Sequence, residues 1–342
     1  MSTTSLYFLT ILMAGIVTFV LLPVLHKLLG SFLLDTPNSL KRHSYAVPLT
    51  GGCAILCGLA ASLIFIRLTT NFPTGTLHSL RGILYGASLI FILGFVDDCL
   101  KPKGLSVAIK LAVQGLATVC LLKYGVHITL FDSMELSYPL TILWVIGLTN
   151  AFNLLDISDG LCVSQAVACA AGLWLIALPS EQIYVNFCAC ALLGACLGFW
   201  PYNHSKRFKT FLGDSGSTLI GFTLAALAMG TGYSQHSNWG FLAPLLIFAI
   251  PIFDTSFVVF ARISKLQNPL RGSNDHAALR LKQIGFTSRQ VLLLFLGIGI
   301  LFNVMAFGVT QLSAEGAVFL YSVAVIFFFI IAVYLSRIRI SQ

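Results

Sequence analysis

Asn150, Asn153, Asp156 and Asp159 recur at every third position of one polar stretch, Asn150–Gly160, with apolar sequence on both sides. In a helix each is the surface neighbour of the next while the row winds by about 60° per step, so adjacent pairs can share one ligand. A charge held in hydrocarbon costs about 2.5–3.5 kcal/mol on insertion scales, which favours a chemical reason for keeping these residues. Amides and carboxylates are hard oxygen donors, the set that Mg²⁺ takes when it is shared with substrate phosphates. The bland alternative, a helix N-cap, needs one such residue and here there are four. A second group, Asp97 and Asp98, ends another apolar run and precedes Lys101, Lys103 and Lys110. Adjacent helical residues point about 100° apart, so one of the pair acts and the other supports it unless the helix ends there. Carboxylates at a helix C-terminus oppose the dipole, and Lys101 and Lys103 are placed to compensate. The third is Asp214, within Phe211-Leu212-Gly213-Asp214-Ser215-Gly216-Ser217, where small residues leave space beside the carboxylate. It opens a predicted helix whose free N–H groups attract anions, with a simple N-cap as the alternative.

Basic residues accompany these acids. Lys41, Arg42 and His43 precede the pair Gly51 and Gly52 and can face phosphate, or form an ordinary basic loop. Further on, Asn274, Asp275, His276 and Arg280 lie in the longest polar loop, 262–289. His276 and Arg280 are four apart, share a face if helical, and can clamp a diphosphate. Asp254, after Pro251, is either a polar packing residue or a support of the site.

The elements that position these groups are membrane helices. The 342 residues are 57% hydrophobic and 9% charged, too little polar surface for a soluble globule of this size. Apolar segments of spanning length fall near 5–29, 49–68, 79–96, 105–123, 139–155, 160–178, 183–201, 214–231, 240–261, 290–310 and 316–335. They predict an all-α polytopic bundle of about 11 transmembrane helices, residues 1–342 forming one domain, and they lack the short alternation of a β-barrel. Seventeen of the twenty Lys and Arg residues then share one side, with Arg67, Arg81 and Lys123 opposite. That asymmetry makes the crowded side cytoplasmic, the N-terminus external and the C-terminus internal. The first apolar run is too long for a cleaved signal and is expected to be a retained span. Nine cysteines lie mostly within predicted helices without metal-ligand spacing and are expected to pack as small apolar residues. The net charge of +8 gathers on one membrane face, which favours anionic lipid or substrate there over nucleic acid.

Carboxylates, amides and cations gathered on one face suit phosphoryl transfer, in which positioning and charge stabilisation do most of the catalysis. An ion-coupled transporter is the competing class, but it predicts midplane carboxylates and an internal repeat. An Asp-rich prenyltransferase motif fails because Lys101 occupies its last acidic position.

Taken together, Asp97-Asp98 with Gly104-Leu105-Ser106 and Lys110, the Asn150–Gly160 stretch and Phe211–Ser217 resemble the polyprenyl-phosphate N-acetylhexosamine-1-phosphate transferases. The likeness runs from Asp35 to Arg289. It implies Mg²⁺-dependent transfer, with Mn²⁺ as an allowed substitute, of a sugar 1-phosphate from a UDP-sugar to undecaprenyl phosphate, releasing UMP in a bacterial plasma membrane. By that likeness Asp214 and Asn153 would hold the metal. Asp97 or Asp98 would activate the lipid phosphate or attack directly, with Asp156 and His276 counted among the catalytic residues. Asp159, Asn203 and Phe211 would lie near the uridine and Lys110 near the lipid phosphate, with Lys41, His43 and Arg280 as further substrate contacts. A homodimer is compatible with the same reading. Two departures stand out: Ile157 replaces a glycine of the middle motif, and Ala278 and Leu279 replace histidines after His276. The Asp-Thr-Pro, Lys-Arg-His and Pro-Leu-x-Gly-Gly elements lean toward GlcNAc as the sugar, with MurNAc-pentapeptide as the alternative.

Overall fold

The computed structural model describes residues 2–36, 45–70, 76–179, 183–205, 207–234, 237–269 and 274–338. Lys41 and His43 therefore lie outside the described residues. The chain divides into two compact units, Met1–Thr231 and Gly232–Gln342.

The first unit holds α1 (Thr3–Leu29), α2 (Gly51–Thr69), α3 (Thr76–Cys99), α4 (Val107–Lys123), α5 (Met134–Leu155), α6 (Leu161–Ala177), α7 (Ile183–Asn203) and α8 (Gly213–Met229). Helix α8 is its axis: every residue from Ser215 to Ala228 is buried, and α3, α5 and α2 pack on it. Its Gly, Ser, Thr and Ala content permits this, because small side chains let helix backbones approach closely where lipid removes the hydrophobic drive. Six of the nine cysteines are buried in this unit, as packing residues of their size should be.

The start of α8 is fixed by backbone hydrogen bonds. A two-residue antiparallel bridge pairs β1 (Leu34–Asp35) with β2 (Val47–Pro48). Immediately after it, Phe211 N–H donates to the Pro48 carbonyl at 2.9 Å, and Gly51 and Gly52 N–H donate to the Phe211 and Leu212 carbonyls at 3.1 and 3.0 Å. A Cβ on Gly52 or Gly94 would overlap the Gly216 or Ser215 backbone. Glycine at these two positions thus lets α2 and α3 close on the first turn of α8.

The second unit contains α9 (Ala243–Ile247), α10 (Ala249–Ile263), α11 (Ala277–Gln283), α12 (Ser288–Gln311) and α13 (Ala314–Ser336). Phe328 stacks on Phe253 and Phe302 with ring centroids 4.8 Å apart in both pairs. Helix α12 starts with a reciprocal cap between Thr287 and Gln290. On α13, Phe319, Val325 and Phe329 are about two-thirds exposed, a surface suited to hydrocarbon.

The all-α membrane bundle expected from composition is present, while the count of eleven spans is not confirmed. Seven helices among the described residues are long and apolar enough to cross a membrane, or eight if one bent pair is a single span. Each expected segment carries helix, yet α4, α6 and α8 have 17 residues each. They rise about 25 Å, at the lower limit of the length that crosses a bilayer. The expected ninth span is broken, its halves bent by 65°. Pro251 has no N–H to offer the Ile247 carbonyl, which ends the first helix and starts another at Ala249.

Candidate active site

Three elements bring carboxylates and lysines together within the first unit. Asp97 and Asp98 occupy the last turn of α3, and as neighbours on a helix they face different ways. Asp98 turns to α8 and is 1% exposed. Its Oδ1 accepts from Asp214 N–H and its Oδ2 from Ser215 N–H, each at 2.9 Å, and Ser215 Oγ adds a bond of 2.7 Å. The free N–H groups of α8 expected to attract an anion are thus occupied by Asp98, an interaction that the helix dipole strengthens. Asp97 turns to α4: its Oδ1 accepts from Leu105 N–H at 2.6 Å and its Oδ2 from Lys110 Nζ at 2.7 Å.

Asp214, in the first turn of α8, joins both. Lys110 Nζ lies 2.8 Å from Asp214 Oδ2, and Lys101 Nζ lies 2.7 Å from Asp98 Oδ1 and 3.1 Å from Asp214 Oδ1. Two ammonium groups therefore stitch three carboxylates into one cluster. Burial works against the charge of Lys101, but the Asp214 and Asp98 carboxylates outweigh it and raise its pKa above the ordinary lysine value. Lys101 does more than offset the α3 dipole, and its i, i+3 spacing from Asp98 is the signal in the sequence for this contact.

The Asn150–Gly160 stretch does not form one helical row. Helix α5 ends at Leu155, with Asp156 as its C-cap, and Asp159 sits in the turn beyond. Asn153 joins the site: its Oδ1 accepts from Ser217 Oγ at 2.8 Å, one turn along α8 from Asp214. Asn150 points elsewhere, donating to Gln114 Oε1 on α4 at 2.7 Å. Asp159 pairs with Lys209 at 2.6 Å, and Lys209 Nζ lies 5.4 Å from the centre of the half-buried Phe211 ring. Asn203 is 3% exposed. It accepts from Gly160 N–H and donates to the Thr210 carbonyl at 3.1 Å, so it holds the 156–160 turn against the 203–210 segment.

Asp156 differs from the other acids here. Among the described residues its carboxylate makes no hydrogen bond or ion pair, and it sits within electrostatic reach of Lys101, Asp214, Asp159 and Asp98. Burial raises its pKa well above the ordinary aspartate value; Lys101 opposes the shift and the three carboxylates add to it.

The missing glycine at position 157 has a simple explanation. Gly160, at φ +75°, takes the left-handed conformation of this turn, and Leu266 is the single non-glycine residue with positive φ among those described. Ile157 therefore occupies a backbone conformation that suits any side chain.

His276 and Arg280 belong to the second unit and do not share a ligand face there. His276, the N-cap residue of α11, pairs through Nδ1 with Asp254 Oδ2 at 2.7 Å, and Asp254 Oδ1 accepts from Ala277 N–H at 2.9 Å. Asp254 is thus the support of His276. Arg280 Nη2 pairs with Asp275 Oδ1 at 2.9 Å, while Nη1 donates to the Leu335 and Ile338 carbonyls at 2.9 and 2.7 Å. Arg280 is therefore engaged by Asp275 and by carbonyls in the last turn of α13 and just beyond it, which a guanidinium satisfies well.

Residues 80–232, the stretch that carries this carboxylate cluster, match glycosyl transferase family 4. The chain is 29% identical over 308 residues to the probable undecaprenyl-phosphate N-acetylglucosaminyl 1-phosphate transferase of Bacillus subtilis, covering 87% of this chain and 83% of that one. It is 30% identical over 275 residues to the undecaprenyl-phosphate alpha-N-acetylglucosaminyl 1-phosphate transferase of Salmonella typhi, with 77% and 72% covered. The enzyme of that name from Escherichia coli K12 is 28% identical over the same shares. With 30% identity across more than two thirds of both chains, and with the motifs gathered at one cluster, this chain belongs to the polyprenyl-phosphate N-acetylhexosamine-1-phosphate transferases of glycosyl transferase family 4.

Proposed function

We propose that this protein transfers N-acetylglucosamine 1-phosphate from UDP-N-acetylglucosamine to undecaprenyl phosphate, releasing UMP and leaving a lipid-linked diphosphate sugar. The observation that carries the reading is the cluster in which Lys101 and Lys110 bind Asp97, Asp98 and Asp214, with the unpaired Asp156 beside it. Its carboxylates sit at the end of α3 and the start of α8, a placement that favours a surface site for phosphates over a midplane ion path. In the reaction an oxygen of the lipid phosphate forms a bond to the phosphorus that carries the sugar. The bond from that phosphorus to the bridging oxygen breaks, and UMP departs with the electron pair.

The donor set fits a divalent cation, Mg²⁺ or Mn²⁺. Four carboxylates, Asp97, Asp98, Asp156 and Asp214, face two ammonium groups, which leaves an excess of negative charge among hard oxygens. Asp214 and Asn153 are the residues to hold it. Among the described residues no three His, Cys, Asp or Glu groups form a ready metal site, in keeping with lysines standing between the acids and with substrate phosphates completing the shell. When bound, the ion would neutralise charge on the donor diphosphate.

The protein residues divide the remaining work. Asp98, engaged by three donors from α8 and by Lys101, positions the helix start and hence Asp214. Asp156 is the base that takes the proton of the lipid phosphate, and Asp97 orients Lys110 toward it. Lys101 and Lys110 offset the charge that develops on the transferring and leaving phosphates. Asp159, Lys209 and Phe211 border the nucleotide end, positioned by Asn203. The strong bias of basic residues supports a cytoplasmic site with an external N-terminus and an internal C-terminus in a bacterial plasma membrane. The test is UMP release by purified protein supplied with UDP-N-acetylglucosamine, undecaprenyl phosphate and Mg²⁺. Turnover with UDP-MurNAc-pentapeptide instead would change the sugar, and no turnover with any UDP-sugar would overturn the activity.

A further inference from the structure

A groove of about 330 Å³ lies on the first unit between α2, α3 and α7. It is at the far end of these helices from the carboxylates. Arg67 follows Gly51 by 16 residues on α2, and Arg81 precedes Asp97 by 16 on α3, in each case about 24 Å of helix. The walls are leucine side chains with Ile64 and Phe187, and Arg67 and Arg81 carry the charge. Tyr184, the one other polar residue of the lining, has its hydroxyl bonded to Ser79.

Both arginines are exposed, and among the described residues neither has an ion pair or hydrogen bond. The connection between the two helices, residues 70–75, contains no acid, while Glu181, before α7, lies outside the described residues. Two arginines from different helices thus line one apolar slot near the ends of two membrane-length helices. A ligand complementary to both features has an anionic head with the planar geometry that arginine binds in bidentate fashion, and a hydrocarbon body. A multi-pass membrane protein is surrounded by such molecules. We infer that this groove binds an anionic phospholipid, its phosphate held between Arg67 and Arg81 and an acyl chain lying along the leucines. The site is separate from the catalytic cluster, and its occupant does not depend on which sugar that cluster transfers.

The test is native mass spectrometry of the full chain in detergent, titrated with phosphatidylglycerol or with phosphatidylethanolamine of the same acyl chains. The wild type is expected to retain one phosphatidylglycerol about 10- to 30-fold more tightly than phosphatidylethanolamine, the preference two basic residues give at a membrane surface. The double variant Arg67→Gln, Arg81→Gln should lose that preference. Leu80→Trp, which fills the groove and keeps both charges, should lower retention of phosphatidylglycerol. Equal retention of the two lipids by the wild type would overturn the inference, as would an undiminished preference in both variants. Displacement of the lipid by millimolar inorganic phosphate would also overturn it, since the groove would then add nothing. The wild-type comparison decides alone if the double variant does not fold.

Discussion

Replacing Asp98 by Asn separates a positioning carboxylate from a reacting one. In the native protein the carboxylate accepts two N–H groups and one hydroxyl from the first turn of α8 and pairs with Lys101. An Asn side chain has almost the same shape but turns one acceptor into an NH₂ donor, which must then face either the Asp214 or the Ser215 N–H. At least one charge-assisted hydrogen bond is lost, worth about 1.5–3 kcal/mol. The charge that complements the α8 dipole goes as well, worth up to about 2 kcal/mol in a buried geometry. The sum is about 1.5–5 kcal/mol. At about 2–4 °C per kcal/mol for a body of 150–250 residues, the melting midpoint should fall by roughly 3–20 °C. The assay is the melting midpoint of detergent-solubilised protein, read by intrinsic tryptophan fluorescence and set beside UMP release from the same preparation. Loss of activity should accompany the loss of stability, because Asp214 is no longer fixed. An unchanged midpoint with activity abolished would refute the capping role and return Asp98 to direct chemistry.

Other substitutions separate the remaining roles. Asp156→Asn should lower UMP release by about 10²-fold or more, as loss of a general base does, while leaving the melting midpoint at or above the wild-type value because no partner is lost. Asp156 also carries a pH signature: its raised pKa means that the metal-free folded protein binds more protons than the unfolded chain between the ordinary aspartate value and the raised one. Stability should therefore fall as pH rises through that interval, and a pH series of melting midpoints should show the decline vanish in Asp156→Asn. Asn203→Ala orphans the Gly160 N–H and the Thr210 carbonyl, at about 1–3 kcal/mol for each buried group, and should raise the KM for the UDP-sugar more than it lowers kcat. Ile157→Gly should not improve activity and should cost about 0.4–1 kcal/mol in a melting experiment, since position 157 has no need of positive φ.

Much of the site was legible because membrane sequences keep ionisable residues only where they act. Asp97, Asp98, Asn153, Asp156, Lys110 and Asp214 stood out against apolar runs, and all lie at or beside one cluster. What the spacing could not convey was which backbone each side chain meets. Asp98 caps a helix through Asp214, 116 residues later, a pairing set by packing at Gly94 and Gly52. Asn150 looked like the first rung of a ligand row, but its partner Gln114 lies on another helix. The row itself failed because α5 stops at Leu155 and the motif continues as a turn. The carbonyls of Leu335 and Ile338 that Arg280 binds are more than fifty residues away, beyond the reach of its local spacing to His276. Hydropathy alone does not fix the number of spans: it measures how apolar a segment is, while the 17-residue helices and the break at Pro251 are matters of length and hydrogen bonding.

The central claim, that the lysine-stitched carboxylates transfer a sugar together with its phosphate, is tested by UDP-N-acetylglucosamine labelled with ³²P at the sugar-bearing phosphorus. Incubated with undecaprenyl phosphate and Mg²⁺, the purified protein should carry the label into the lipid phase while unlabelled UMP appears in the aqueous phase, and Asp214→Asn should do neither. Label left in the aqueous phase as UDP would contradict the account, because it would mean that the sugar moves without its phosphate.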